Sequence, residues 1–421
     1  MKQPIYTKRQ SGFTLVELMV SIVIGLLMLA ALIALMLNVS RNNNEMTKSN
    51  RMIENGRFAL QLLQTDLSHA GYWGGHVPEF DDLSRTTAPT DMPKDYPTVS
   101  PVVTAVPDPC ASWATLAANA DPTVLATYAS NLIGIPMQSY EIPAVVPSPT
   151  LSVCASRVTN PQKSTDVLVV RHAESCVPGV GNCSVYKPAN LYLQVARNGT
   201  AAPIPAYVLS EDVSVRILKN RDGTTAELRK FVSNLYYVRK HAANPGDGIP
   251  TLMRSQFRLD GTVLSHDSAE ALIEGVEGFR VEFGVDNISD AGTNITTGAN
   301  SAGVVAPANF HSAAINWAVT TPANTSPTNR GDGSPDGDYV RCTTATPCTA
   351  SQLMNVVAVK LYVLVRNDVV TPGYSDTKSY CLQSVCATAS DRMGPFIDGF
   401  KRHLFTQTIR LVNVSSRRET P

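Results

Sequence analysis

An apolar stretch between Phe13 and Leu37 contains a single formally charged side chain, that of Glu17. The stretch is longer than the roughly 20 residues that an α-helix needs to cross the hydrocarbon core of a bilayer. A charge at membrane depth costs several kcal/mol unless it finds a partner. The sequence therefore predicts a membrane-spanning helix at the amino terminus, and it predicts that Glu17 has a partner.

A short leader with three basic residues precedes this stretch, and mainly polar sequence follows it. Membrane helices carry an excess of Lys and Arg on their cytoplasmic side. We therefore expect a cytoplasmic amino terminus, with residues from about 40 onward on the other side. A secretory signal has a shorter apolar region. An ordinary signal-anchor helix with a chance Glu is the alternative, and it gives the same topology.

The residues Ser11-Gly12-Phe13-Thr14-Leu15-Val16-Glu17 resemble the class III signal of type IV prepilins and pseudopilins. The resemblance implies that a prepilin peptidase cuts between Gly12 and Phe13, removes the leader (residues 1–12), and leaves Phe13 to be N-methylated. It also implies that Glu17 serves subunit docking by meeting the terminal amine of a neighbouring subunit. A carboxylate and an ammonium brought together in low dielectric offset much of each other's desolvation cost.

The helix is expected to continue beyond the membrane. Apolar residues recur with helical spacing in the following segment, at Met46, Ile53, Leu60, Leu63 and Leu67. We predict one helix of about 55 residues, about 80 Å long at 1.5 Å per residue, with a membrane half at 13–37 and an amphipathic half at 38–71.

Residues 72–421 are predicted to form a large β-rich head with antiparallel sheets, which makes the fold class α+β and type IV pilin-like. Alternating apolar and polar residues, rich in β-branched and aromatic types, predict strands at 166–171, 191–195, 213–218, 228–239, 253–259, 271–285, 356–366 and 403–414. In the sixth of these, Phe279, Val281 and Phe283 share one face. Of two polar insertions, the first, at about 78–162, is predicted to be mostly loop with short strands or turns, and the second, at about 286–350, a long surface excursion held near its end by Cys342 and Cys348.

All eight cysteines follow the membrane stretch: Cys110, Cys154, Cys176, Cys183, Cys342, Cys348, Cys381 and Cys386. An even number in an oxidising compartment predicts disulfides. Three short separations suggest the pairs 176/183, 342/348 and 381/386, and leave 110/154 as a fourth, although spacing alone does not fix the connectivity. A zinc site is the alternative, but no Cys-x-x-Cys pair occurs.

The composition and motifs argue against several classes of function. The formal net charge is zero and no basic cluster follows the leader, which argues against a nucleic-acid partner. Local signatures of common enzymes are missing, so we expect no catalysis and neither a cofactor nor a metal. One loop, with Asp332, Asp336 and Asp338 among glycines, leaves calcium open, although turn chemistry explains it equally well.

Four dispersed segments, 57–71, 272–285, 356–366 and 405–413, together resemble a PilW-type minor pilin of type IV pili. The resemblance implies a subunit of pilus assembly that initiates or caps the fibre at its tip. It implies as partners other minor pilins, the major pilin, the prepilin peptidase/N-methyltransferase, the inner-membrane assembly platform and a tip adhesin. The head would lie in the periplasm, with the helix in the bacterial inner membrane.

Two other functions remain open from the sequence. A type II secretion pseudopilin of the J type shares the leader and a β-rich head. A membrane-anchored periplasmic enzyme or binding protein is the more distant alternative.

Overall fold

The structure, a computed structural model, describes residues 12–78, 103–144, 153–188, 190–195, 207–220, 222–261, 263–289, 292, 294 and 330–419. Much of the two predicted polar insertions lies outside these ranges. The chain divides into two compact units after Arg51. The second, from Met52 onward, is called the head unit below.

Helix α1 comprises Leu15–His69 and has 55 residues, as expected. The apolar side chains between Phe13 and Val39 are exposed, and by length and composition the helix could cross a membrane. Residues of α1 from Met52 onward belong to the head unit, where the helix buries Met52, Gly56, Ala59, Leu63 and Leu67.

The buried face of α1 differs from the predicted one. Leu63 and Leu67 are buried as expected, but Met46 is 63% exposed. Small residues take the place of the expected large ones: a Cβ at Gly56 would overlap the ring of Phe405. The helix backbone therefore approaches its neighbour more closely than a stripe of large side chains would allow.

The larger sheet has eight antiparallel strands. Strands β2 and β3 pair with successive parts of the long strand β5. With β1 beside β2 and β4 beside β3, the order is β1-β2-β5-β3-β4. Strand β6 pairs with β5, β7 and β8. The bounds are β1 Met137–Ile142, β2 Thr165–Ala173, β3 Tyr192–Val195, β4 Tyr207–Ser210, β5 Leu228–Arg239, β6 Thr251–Asp260, β7 Val263–His266 and β8 Glu270–Glu274.

The second sheet has three antiparallel strands in the order β13-β10-β9. These are β9 Val276–Val285, β10 Val356–Arg366 and β13 Arg402–Arg410. A two-stranded ladder joins β11 Tyr380–Cys381 to β12 Arg392–Met393. The short helices are α2 Trp113–Ala117, α3 Pro122–Gly134, α4 Ala350–Met354 and α5 Val412–Ser415.

The largest apolar cluster joins α1 to both sheets of the head unit. It combines Leu63 and Leu67 of α1 with side chains from β2, β5 and β6 and with the core of β9 and β10. Phe279, Val281 and Phe283 of β9 lie in this cluster, as their shared face predicts. Apolar burial of this kind, about 25 cal/mol per Å², is the main favourable term that holds the helix on the sheets.

Four local predictions were wrong. The predicted strand 271–285 breaks at Gly275 into β8 and β9, which lie in different sheets. Residues 213–218 form a 3₁₀ turn at Val213–Val215 instead of a strand, because Asp212 accepts hydrogen bonds from the backbone and the hydroxyl of Ser214 and so favours a turn. The last predicted strand stops at Arg410, and α5 follows. The described part of the first polar insertion contains the short strand β1, as expected, but also the helices α2 and α3, which were not predicted.

Four disulfides join the cysteines as Cys110–Cys154, Cys176–Cys183, Cys342–Cys348 and Cys381–Cys386. These are the pairs that the sequence spacing suggested. The first closes a separation of 44 residues, and the others close separations of 7, 6 and 5. Long loops lose the most denatured-state entropy when they are closed, so the first disulfide is expected to contribute most to stability.

A buried ion cluster anchors β13. The Arg402 side chain, which is 0% exposed, contacts Glu277 at 2.5 Å, Asp376 at 3.0 Å and Asp398 at 2.7 Å. Its guanidinium also lies 3.7 Å from the ring centroid of Phe396. Arg402 thus lies against three carboxylates, one of which, Glu277, also has Arg366 at 3.8 Å, and it ties the loop before β13 to β9.

His266, at the end of β7, is buried between the hydroxyls of Ser233 and Ser255, at 3.3 Å and 3.2 Å. Burial, reinforced by the charges of Arg171 and Arg157, lowers the pKa of His266 to about 3. The imidazole is therefore neutral in the folded protein at ordinary pH.

Candidate functional site

The residues around the predicted cleavage bond are accessible. Gly12, Phe13 and Thr14 precede the first helical residue, Leu15. Phe13 is 85% exposed, and a side chain at Gly12 would meet nothing within 4 Å. The Gly12-Phe13 bond therefore lies outside the helix and in the open.

Thr14 and Glu17 form a reciprocal cap at the start of α1. The Thr14 hydroxyl accepts a hydrogen bond from the Glu17 backbone N–H at 3.3 Å. Glu17 Oε2 accepts from the Thr14 backbone N–H at 3.0 Å and from the Thr14 hydroxyl at 2.9 Å. This is a capping box, which satisfies backbone N–H groups that the first turn of a helix leaves without intrahelical partners.

The cap gives Glu17 a local partner that the interpretation of the sequence did not include. The signal for it was present, because Thr-x-x-Glu before an apolar run is the pattern of a capping box. Both recorded bonds to the carboxylate use Oε2. In the described part of the chain, Oε1 accepts no hydrogen bond, so this oxygen can take a cation while Oε2 keeps the cap.

In the head unit, a second polar site fixes α1 to the main sheet. Asp66 lies on the helix and accepts hydrogen bonds from two strands. The donors are His172 Nε2 of β2 at 3.0 Å, Asn234 Nδ2 of β5 at 3.0 Å to each oxygen, and the Tyr236 hydroxyl of β5 at 3.0 Å. No local sequence pattern indicates this site, since the donors lie more than 100 positions away.

His172 has an acceptor at each ring nitrogen. Nδ1 lies 2.9 Å from the carbonyl oxygen of Ala173, and Nε2 lies 3.0 Å from Asp66 Oδ1. Burial lowers the pKa of His172, but the hydrogen bond and charge of Asp66, helped by Ala173 and Glu174, outweigh it, so the pKa is raised. Only the imidazolium can donate to both acceptors.

A cavity of about 450 Å³ opens beside this pair. One wall is a face of α1 and the other is the surface of β2, β5 and β6. Its lining residues are Phe58, Gln61, Leu62, Thr65, Asp66, His69, His172, Asn234, Tyr236 and Arg254. The pair is therefore at the edge of the core, with side chains that remain 10% and 11% exposed.

Two aspartates of the glycine-rich loop accept hydrogen bonds from backbone N–H groups. Asp336 accepts hydrogen bonds from the backbone N–H groups of Asn287 and Ile288, and Asp332 accepts from the N–H of Ser334. The Asp332 contact is the turn chemistry that was the alternative to a calcium site, whereas Asp336 ties the loop to the segment after β9.

Among the described residues, one group has ligand atoms at metal-binding distances: Asp108, Cys110 and Cys154. Both of its cysteines form a disulfide. Their sulfur atoms are therefore not the thiolates that bind metals.

Comparisons with known proteins match two parts of the chain. Residues 235–413 match the family model of type IV pilus-assembly protein W, and residues 7–33 match the prokaryotic N-terminal methylation motif. A type IV-like pilin, TTHA1219 from Thermus thermophilus, aligns at 12% identity and a TM-score of 0.24 over 61% of this chain and 82% of its own. No curated protein sequence matches.

Proposed function

Because residues 235–413 match the family model of type IV pilus-assembly protein W and residues 7–33 match the N-terminal methylation motif, we propose that the chain is a minor pilin of this family. In this proposal a prepilin peptidase cuts between Gly12 and Phe13, Phe13 is N-methylated, and α1 then packs with the helices of other pilins. The chain itself catalyses nothing. Its partners are other minor pilins, the major pilin, the peptidase and the assembly platform of the inner membrane.

The start of α1 is the observation that carries the proposal. The bond to be cut is exposed and outside the helix, where a peptidase can reach it. Cutting creates an ammonium at Phe13, and Glu17 offers Oε1 to the ammonium of a neighbouring subunit while Oε2 stays bonded to Thr14. Such a pair offsets the desolvation cost of both charges in a low-dielectric fibre. Exposed apolar residues from Leu15 to Val39 provide the surface for helix packing.

The size of the head supports a position at the pilus tip. The head unit contains an eight-stranded and a three-stranded sheet, together with polar insertions. A head of this bulk is difficult to repeat at the close spacing of a shaft. We therefore place the protein at the tip, where it initiates or caps the fibre and where an adhesin would be its neighbour.

Glu17 variants test the docking role. Glu17→Gln keeps an oxygen for the cap and removes the charge, whereas Glu17→Ala removes both. We expect the mass of the mature amino terminus to show normal cleavage in both variants, and the amount of protein in sheared pili to fall in both. Wild-type incorporation of Glu17→Gln would mean that the carboxylate acts only as a cap, and it would refute the charge pairing.

Deleting the gene for this chain distinguishes a role in a type IV pilus from a role in type II secretion. Loss of twitching with normal release of exoproteins supports a type IV pilus, and the reverse phenotype supports the J-type pseudopilin. Antibody labelling of a tag on the head tests the tip position, since uniform labelling along the shaft would refute it.

A Gly12→Val variant separates a pilin from an anchored enzyme or binding protein. A pilin with an uncut leader should fail to assemble. An anchored enzyme should keep its function with the leader in place.

A further inference from the structure

We propose that Asp66 and His172 form a proton-controlled latch that holds the last turns of α1 on the main sheet and loosens as the pH of the surrounding compartment rises. The inference concerns the head unit alone and does not depend on the proposed function.

The latch follows from the hydrogen bonds of one imidazole. Both ring nitrogens of His172 face acceptors, the Ala173 carbonyl at 2.9 Å and Asp66 at 3.0 Å. A neutral imidazole carries a single N–H. When His172 loses a proton, one ring nitrogen therefore faces an acceptor with its own lone pair, and that contact becomes repulsive. The repulsive contact is either with the Ala173 carbonyl of β2 or with the Asp66 carboxylate of α1.

Charged and titratable groups face His172 from every neighbouring element. Helix α1 contributes Asp66 and His69, whose ring centroid lies 5.5 Å from that of His172. Glu174 follows on the chain of His172 and pairs with Lys230 at 3.2 Å. The carboxylates of Asp66 and Glu174 both favour the imidazolium.

The other strands complete the surroundings of the pair. Strand β5 contributes the Tyr236 hydroxyl, which donates to Asp66. Strand β6 contributes Arg254, whose charge is paired with Glu270 of β8 at 2.5 Å. The negative groups Asp66 and Glu174 favour the imidazolium, in agreement with the raised pKa of His172.

The sign of the effect follows from linkage. A histidine whose folded-state pKa exceeds its unfolded value of about 6.5 contributes its full stabilisation below that pH. The stabilisation is lost as the pH rises through the folded-state pKa. The latch is therefore closed in acid and weakened in alkali.

The structure limits the opening to one end of α1. The cavity of about 450 Å³ beside the pair admits solvent to it, so proton release requires no global unfolding. Asn234 and Tyr236 still donate to Asp66 after the change, and Leu63 and Leu67 stay in the core. We expect local opening of the last helical turns.

Two measurements on the full chain in detergent micelles test the latch. Nitrogen NMR of ring-labelled histidine should show both nitrogens of His172 protonated at pH 6 and a titration midpoint above about 6.5. Amide hydrogen exchange of residues 62–69, corrected for intrinsic rates, should show an opening constant that rises between pH 6 and pH 9. One linked proton limits the rise to about tenfold per pH unit.

Two matched variants test whether the pH dependence of the opening comes from His172. His172→Gln should make the opening constant independent of pH, and His69→Gln, in the same cavity but not bonded to Asp66, should leave the dependence in place. A neutral His172 at pH 6, or an unchanged dependence in His172→Gln, would overturn the proposal. Should His172→Gln fail to fold, the NMR titration of the wild-type protein decides alone.

Discussion

The close approach of Gly56 to Phe405 gives a prediction whose sign depends on the partner residue. In Gly56→Ala the new methyl group would overlap three atoms of the Phe405 ring, so the ring must move. Overpacking of this kind costs about 1–3 kcal/mol. Replacing Gly by Ala inside a helix stabilises it by about 1 kcal/mol. The net expectation is a loss of stability between about zero and 2 kcal/mol.

Removing the ring should reverse the effect. In a Phe405→Ala background the methyl group has space, so Gly56→Ala should stabilise the head unit by about 1 kcal/mol. The difference between the two backgrounds, about 1–3 kcal/mol, is the coupling energy of a double-mutant cycle.

Denaturant unfolding of the four proteins measures this coupling. Trp73 and Trp113 are each 1% exposed, so their fluorescence should report the unfolding of the head unit in detergent-solubilised chains. An equal stabilisation by Gly56→Ala in both backgrounds would refute the packing of α1 against β13 through Gly56.

Two further predictions concern buried charge. Arg402→Met should destabilise the head unit by about 3–5 kcal/mol because it removes the closest cation of three carboxylates, whereas Lys230→Met, at a half-exposed pair, should cost less than about 1 kcal/mol. Equal losses in denaturant unfolding would contradict this difference. His266 has a lowered pKa of about 3, so its stabilisation is present above about pH 6.5 and is lost as the pH falls toward 3. Between pH 7 and pH 4.5 the free energy of unfolding of the wild type should fall by about 2–3 kcal/mol more than that of His266→Gln. Parallel curves of unfolding free energy against pH would show that His266 is not the group that takes up a proton on unfolding.

Long regular elements could be predicted from the sequence. The bounds of β5 and β10 agree with the predicted strands, because each is a long run rich in β-branched and aromatic residues. The length of α1 could be predicted because its apolar stretch and its amphipathic continuation share one period. Helix α3 was missed although Asp121 caps it and Pro122 occupies its first turn, which are recognised start signals. The Pro-, Thr- and Ala-rich surroundings of α3 obscured them.

The two polar sites differ in how much the sequence reveals. The Thr14–Glu17 cap is local, and four consecutive residues contain all of its parts. The Asp66 site brings together residues 106, 168 and 170 positions apart. Such a site depends on the register of β2 against β5 and on where α1 crosses them, and neither can be obtained from local pattern.

The cap at Thr14 also sets a distance. It starts the helix at Leu15, so two residues, Phe13 and Thr14, separate the Gly12-Phe13 bond from the first helical residue. Two extended residues span at most about 7 Å. A protease that cuts this bond while α1 is embedded must place its catalytic groups at the bilayer surface, within that reach of the helix.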